Sequence, residues 1–358
     1  MDKLVIGSTS RGAGKTSLIV GIGQKLGGAF HYRKPFGDRL VYRRKVARDY
    51  DADLLAGIFG LAGNPEEVTI GFEHSKLRYM YDEDGRKARL RQMIPADAAA
   101  RGPLLVEAGA DLSCGASVHL DAVSLARYLE ARLVLLVAGN ENDVLDQVAF
   151  VRKYVGMREA TFVGVVVNKV HDTAAFLETY LPDFQRMGVP LLGVVPYHED
   201  LTHPSVAFVV ERLFGKVLTA EGALSRPVKN VFIGAMSADT ALRSPLFRHP
   251  GKMIITSGDR SDMVLASLEG DTAAVVLTNN VVPPANIVAR ATERGVPLVL
   301  VSQDTYQVAA QIDQLEPLLT REETTKHELL GRLVRDSVQL AQLLPNTPAA
   351  QAPGTGAP

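Results

Sequence analysis

Short, almost uninterrupted apolar runs of strand length alternate with stretches of helical periodicity along most of the 358 residues. A strand buried on both faces of a parallel sheet loses the in-out alternation of a surface strand and reads as one apolar run. The pattern therefore predicts an α/β fold with parallel sheets. In the first part, strands are expected at 3–6, 29–33, 104–107, 133–138, 162–168 and 191–195. Helices are expected at 121–130, 144–154 and 173–187, with a closing helix at 204–214. The stretch 215–229, containing Gly222 and Pro227, reads as a boundary with a short helix in it. A second set follows: strands near 231–235, 253–256, 274–278 and 297–301, and helices near 238–243, 262–268, 285–294 and 307–314. Residues 322–344 show helical periodicity, with Leu330, Leu333, Val334, Val338, Leu340 and Leu344 on about one face. Residues 346–358 (NTPAAQAPGTGAP) hold no large apolar side chain and are expected to be disordered.

The segment after the first apolar run, GSTSRGAGKTS at residues 7–17, changes this from a fold to a functional reading. It fits the phosphate-binding loop G-x-x-x-x-G-K-[ST] at Gly14, Lys15 and Thr16, with Thr9 in place of the leading glycine. Backbone N–H groups from Ser10 to Gly14, Ala13 among them, can wrap an anionic oxygen. Gly12 and Gly14 permit positive φ and close approach. Lys15 can reach β- and γ-phosphates, the Thr16 hydroxyl can ligate Mg²⁺, and the helix carrying Lys15, Thr16 and Ser17 aims its positive end at the phosphates. The loop residues Thr9, Gly12, Ala13, Gly14, Lys15, Thr16 and Ser17 are thus the expected nucleotide-phosphate site.

A phosphate loop needs an acidic partner for its metal. Glu107 ends an apolar run at the sheet edge where open α/β folds bind ligands. It reads either as an Mg²⁺ ligand or as a rim carboxylate. Asp49, Asp51 and Asp53 in RDYDADLL read either as metal ligands, Asp51 foremost, or as an acidic helix start. Asn168 offers a donor and an acceptor suited to adenine, or is a strand-terminal turn residue. The Asp that reads guanine two residues after the Lys of such a sequence is absent, since position 171 is His. Pro196 and Tyr197 could wall the base. YRKPFGDRLVYRRKVAR is the densest basic segment. It could hold an anionic second substrate or form a solvated loop. Lys34 stands apart from it, because it directly ends a strand beside the phosphate loop.

Composition narrows the partners. Lys plus Arg number 39 against 40 Asp plus Glu, a net charge of −1, so no bulk attraction to nucleic acid or anionic membrane is expected. With Trp absent, stacking platforms for single strands are disfavoured. No apolar run approaches the ~18 residues of a membrane span, and no signal peptide is expected. The single Cys114 suits a reducing cytoplasm. Neither Cys114 nor the scattered histidines form a zinc or nucleophile pattern.

STSRGAGKT, the Arg33-Lys34-Pro35 strand end, DYDADLL, LLVEAGAD, VVVNKV and GVVP together resemble the ATP-binding fold of dethiobiotin synthetase. They are more similar still to the N-terminal domain of long bacterial phosphate acetyltransferases. NVFIGAMSADTALR, IITSGDRSDMVLASL and AAVVLTNN resemble the DRTGG domain that follows it there. Asp259, Arg260 and Thr278 match that module, while Asn279 and Asn280 replace its usual Gly-Gly.

The resemblance implies a P-loop NTPase three-layer parallel-sheet domain at 1–215, a smaller α/β DRTGG domain at 226–320, a C-terminal helix at 321–345 and the tail at 346–358. It implies ATP and Mg²⁺ as cofactors. Thr16, Asp51 and Glu107 would hold the metal, Lys15 and Lys34 would be the catalytic pair with Lys34 facing the transferred phosphoryl, and Asn168 would read adenine with Pro196 beside it. It also implies a homodimer, and a partner enzyme of acetate or acetyl-phosphate metabolism. KPFGDRLV departs from the small-residue loop that holds the diamine in dethiobiotin synthetase, so biotin synthesis is not expected. Neither is acetyl transfer by this chain alone. Two functions remain: a nucleotide-sensing regulator, or an ATP-dependent synthetase that phosphorylates a carboxylate or carbamate.

Overall fold

The computed structural model describes residues 1–43, 45–61, 65–95, 102–154 and 160–347. The chain divides into two compact units. One comprises Met1–Tyr197 and the segment from Thr324 onward; the other is His198–Glu323.

The first unit is built on a six-stranded parallel sheet. Its strands are β1 (Lys3–Ser8), β2 (His31–Arg33), β5 (Leu104–Glu107), β6 (Arg132–Ala138), β7 (Thr161–Val170) and β8 (Leu191–Pro196), in the order β2-β5-β1-β6-β7-β8. Leu4, Val5, Ile6 and Leu133 to Val137 are essentially sealed from solvent, as expected for strands covered on both faces. Beside β1 the chain order turns, with β5 on one side and β6 on the other. Open α/β sheets bind ligands at the carboxyl end of such a switch point. Parallel register sets Ile6 opposite Glu107 and Ser8 opposite Leu136, so Glu107 stands two residues below the end of β1 and the loop that follows it. Helix α1 (Lys15–Lys25) leaves that loop.

Two features of this unit differ from expectation. The basic segment after Lys34 forms an antiparallel hairpin, β3 (Leu40–Arg43) and β4 (Val46–Asp49), whose Tyr42 is 70% exposed. Arg44 lies outside the described residues. β4 runs straight into α2 (Tyr50–Phe59), capped by the Asp49 carboxylate, which accepts from the N–H groups of Asp51 and Ala52.

The second difference concerns the late apolar helix, here Thr324–Ser337, which returns to the first unit and packs on α1. Gly21 permits the contact: a Cβ there would stand 2.3 Å from Val334 Cγ2 and 2.7 Å from the Leu330 carbonyl oxygen. Leu330, Val334, Val338 and Leu344 are buried, and Val338 bridges to Gly193 of β8. Four of the six stripe residues are thus buried within the chain, with Leu333 and Leu340 half-buried, so the stripe does not require a second subunit to cover it. Asn346 and Thr347, expected in the disordered tail, are ordered by three hydrogen bonds to the Asp2 carboxylate at 2.8–2.9 Å. The rest of the expected tail, 348–358, lies outside the described residues.

The second unit has a five-stranded sheet: β9 (Lys216–Val217), β10 (Asn230–Ile233), β11 (Lys252–Ser257), β12 (Thr272–Thr278) and β13 (Leu298–Leu300), in the order β10-β11-β12-β13-β9. β9 is antiparallel and the rest are parallel. The helix Val206–Leu213, read from sequence as closing the first domain, instead buries Val206, Val209 and Leu213 against Met253, Ile255, Val276 and Val299. The break between the units therefore falls at Tyr197/His198 rather than at 215. Asn279 and Asn280 both adopt left-handed backbone (φ 59° and 54°) after β12. Asn tolerates this conformation better than other non-glycine residues.

Candidate functional site

The phosphate-loop backbone is fixed from one side by the end of β7. Asn168 Nδ2 donates to the Ala13 carbonyl (2.8 Å) and Lys169 Nζ donates to the Gly12 carbonyl (2.9 Å). Across a trans peptide, a carbonyl and the following N–H point in opposite directions. Drawing these two carbonyls toward β7 therefore turns the N–H groups of Ala13 and Gly14 away from it. Gly12 and Gly14 have φ of 72° and 102°, and a Cβ at Gly14 would come within 2.4 Å of Asn168 Nδ2. Only glycine serves at position 14. Asn168 Oδ1 accepts from the Lys169 N–H at 2.9 Å, so of this amide, expected to face adenine, one end braces the loop and the other is held by its own backbone.

Thr9 lies at the rim of the sheet: its N–H donates to the Leu136 carbonyl (3.1 Å) and its hydroxyl donates to Gln147. Ser17 is half-buried on the first turn of α1. Pro196 ends β8, half-buried, and the next residue, Tyr197, stacks on His171 with ring centres 4.4 Å apart.

Behind the loop, charged groups converge. Lys15 is buried, and its ammonium donates to Ser8 Oγ (2.8 Å) and the Ala110 carbonyl (2.9 Å). Thr16 Oγ1 donates to Glu107 Oε1 at 2.9 Å, and Tyr32 OH donates to Glu107 Oε2 at 2.8 Å. From the other side Lys34 Nζ meets Asp51 Oδ2 at 2.5 Å, Asp38 Oδ1 at 2.6 Å and Asp49 Oδ1 at 3.3 Å. Arg39 adds a 3.6 Å contact to Asp51.

Burial and charge set the protonation of this cluster. Burial pushes Glu107 up to about 7, with Asp51 adding to the shift and Lys34, Lys15 and the Tyr32 hydroxyl opposing it. Burial also lowers Lys15, against the pull of Glu107. Burial would lower Lys34 as well, but Asp51, Glu107, Asp49 and Asp38 outweigh it and hold the ammonium well above the ordinary lysine range. Burial resists ionisation of Asp51, yet Lys34 and Arg39 leave it below the usual carboxylate range. Tyr32 is raised by burial and by the neighbouring carboxylates.

Of the residues expected from sequence, Lys15, Thr16, Lys34, Asp51 and Glu107 are thus brought together. Sequence reasoning did not pick out Tyr32, Ser8, Asp38 or Lys169. Only Asp38 left a signal, four residues after Lys34. The oxygens of Thr16, Asp51 and Glu107 form a hard donor set that fits Mg²⁺. Asp38, Asp49 and Asp51 form a second acidic group, with ligand oxygens within 4.8 Å of one another.

A family model described as an AAA domain matches residues 2–205. The chain belongs to this family. Its first part is a dethiobiotin synthetase-like P-loop domain, and a DRTGG domain model matches residues 208–315. The phosphate acetyltransferase of Pseudomonas putida is 28% identical over 238 residues, covering 61% of this chain and 34% of that protein. The phosphate acetyltransferase of Nitratidesulfovibrio vulgaris is 24% identical over 383 residues, covering 96% of this chain and 52% of that protein. The chain thus spans between a third and about half of the length of these relatives. Among solved structures, the CBS and DRTGG domains of Clostridium perfringens pyrophosphatase, in complex with its activator diadenosine tetraphosphate, align over 39% of this chain and 70% of theirs (15% identity, TM-score 0.29). MinD of Aquifex aeolicus aligns over 56% of this chain and 84% of its own (13% identity, TM-score 0.33). Among the described residues, no helix is long and apolar enough to cross a membrane.

Proposed function

We propose that the first unit binds Mg·ATP and that the DRTGG unit makes the chain a nucleotide-responsive regulatory protein. The observation that carries this reading is the convergence of Lys15, Thr16, Asp51 and Glu107 behind a loop whose carbonyls are drawn outward by Asn168 and Lys169. Loop N–H groups and the α1 terminus would cradle the phosphates. Lys15 would exchange its Ser8 and Ala110 contacts for phosphate oxygens. Thr16, Asp51 and Glu107 would hold Mg²⁺, which when bound neutralises charge on the β- and γ-phosphates. Pro196, Tyr197 and the region of Asn168 would receive adenine. With the metal and phosphates present, Glu107 would be held as a carboxylate.

A second reading, an ATP-dependent synthetase acting on a carboxylate or carbamate, is favoured by one observation: Lys34 sits beside the same carboxylates, where it could neutralise a transferring phosphoryl group. The relatives are phosphate acetyltransferases, which supports a cytoplasmic partner enzyme of acetate or acetyl-phosphate metabolism. A homodimer remains part of this reading through family resemblance alone.

Calorimetry tests the nucleotide site. Lys15→Ala removes a charge-assisted phosphate contact of about 1.5–3 kcal/mol, so Mg·ATP affinity should fall roughly ten- to a hundredfold. Equal affinity in the two proteins would refute the assignment.

A further inference from the structure

An ammonium carries three N–H donors and no more. Two of those of Lys34 go to Asp51 and Asp38, at 2.5 and 2.6 Å, the Asp49 carboxylate stands 3.3 Å away as a third ion-pair partner, and the side chain is only 1% exposed. A lysine ringed by three carboxylates is held toward them, and bringing its ammonium to a phosphoryl oxygen works against that attraction. Asp51 is the one with another use, since it belongs to the donor set that fits Mg²⁺. Asp38 and Asp49 lie outside that set.

Both are also locked in place. Asp49 Oδ1 accepts from the N–H groups of Asp51 and Ala52 at the head of α2, and Oδ2 accepts from the N–H groups of Asp38 and Arg39. Asp38 is placed by its own loop. The run Lys34–Gly37 is zipped to residues 68–71 by three backbone bonds: Lys34 N–H to the Val68 carbonyl, Ile70 N–H to the Pro35 carbonyl, and Gly37 N–H to the Gly71 carbonyl, at 2.9–3.0 Å. Gly37 allows this close approach, because a Cβ there would fall 2.3 Å from the Phe72 ring. Phe36, between them, is buried in the core of the unit. The Asp38 carboxylate therefore reaches Lys34 from a rigid base.

We propose that Asp38, with Asp49, is a positioning residue that keeps Lys34 withdrawn from the γ-phosphate, so that the site holds Mg·ATP and turns it over slowly. This deepens the regulatory reading of the same site and rests on its binding Mg·ATP. It also separates the two readings above, because a synthetase needs Lys34 free and a sensor benefits from its restraint. The step at issue is hydrolysis. A water oxygen bonds to the γ-phosphorus, the bond to the β,γ-bridging oxygen breaks, and ADP and inorganic phosphate leave with the water's proton passing to phosphate or solvent.

Asp38→Asn tests the proposal in the full chain, because it keeps the shape of the side chain while removing its charge. ATP turnover should rise about tenfold, the scale of one charge-assisted contact, with the dissociation constant for Mg·ATP within about threefold of wild type. Asp38→Ser should behave in the same way, and Lys34→Gln added to Asp38→Asn should abolish the gain. A merely structural Asp38 would instead lower the melting temperature and leave turnover unchanged or reduced. The proposal is overturned if both proteins bind Mg·ATP and turnover in Asp38→Asn does not rise, or if the gain survives Lys34→Gln. If calorimetry finds no Mg·ATP binding in wild type, the nucleotide reading itself is wrong and this inference falls with it.

Discussion

Substituting Gly21 by Ala sets two physical effects against each other with opposite signs. Gly21 lies inside α1, where replacing glycine by alanine should stabilise an exposed helix by about 1 kcal/mol. Its added methyl carbon would, however, sit 2.3 Å from Val334 Cγ2, 2.9 Å from Val334 Cβ and 2.7 Å from the Leu330 carbonyl oxygen. The last contact is to backbone, so no rotamer change relieves it. Restoring ordinary contact distances requires the helices to part by about 1 Å, which loosens the buried Leu330 and Val334 side chains. Overpacking of this kind costs about 1–3 kcal/mol, and the backbone clash argues for the upper half of that range. The net expectation is a loss of about 1–2 kcal/mol, a fall of roughly 2–8 °C in the melting temperature for a unit of this size. Differential scanning calorimetry of wild type and variant reads the effect directly. A melting temperature that is unchanged or higher would mean that α1 and the late helix are not in the contact described, and that helix propensity governs the position.

Two further outcomes follow from the same geometry. Glu107, raised by burial from 4.5 to about 7, keeps its proton in the folded protein where the unfolded chain has lost it. Its burial therefore costs stability as pH rises through that window and costs nothing below it. Measured by urea unfolding without nucleotide, the stability of wild type relative to Glu107→Gln should rise by up to about 3 kcal/mol from pH 8 to pH 5, at about 1.36 kcal/mol per pKa unit; a difference independent of pH would refute the shift. Leu330→Glu places a charge in the buried contact with α1, so light scattering and circular dichroism should show an unfolded or aggregated first unit; a folded protein of half the wild-type mass would return the stripe to a subunit interface.

Much of the first sheet was legible because parallel strands buried on both faces have no polar positions to hide in, and 104–107, for instance, was bounded to the residue. The hairpin β3–β4 was not legible, since its strands LVYR and VARD mix charge with apolar residues and carry no clear period. β9, with two residues, is too short to leave a pattern. The helices at 206–213 and 324–337 were seen as helices, but an apolar face does not name the surface it will meet. The phosphate loop, Asp51 and Glu107 could be found because each follows or ends a recognisable element. The Asp38–Lys34 contact depends on the zipping of residues 34–37 to 68–71, a pairing remote in sequence. Asn168 was noticed for its hydrogen-bonding capacity, while its partner, the Ala13 carbonyl, belongs to backbone that any residue could supply.

The second unit is an insertion in the chain of the first, and this has a consequence for synthesis. The α1 surface that receives Leu330 and Val334 exists once the first residues are made, but its cover lies about 300 residues further on, beyond the whole of the other unit. At about 5–20 residues per second, a ribosome leaves that surface open for roughly 15–60 s. Until then the nascent P-loop domain presents an apolar strip on α1. It can close only after the inserted unit has emerged, so completion of the P-loop domain is timed by translation of the module inserted within it.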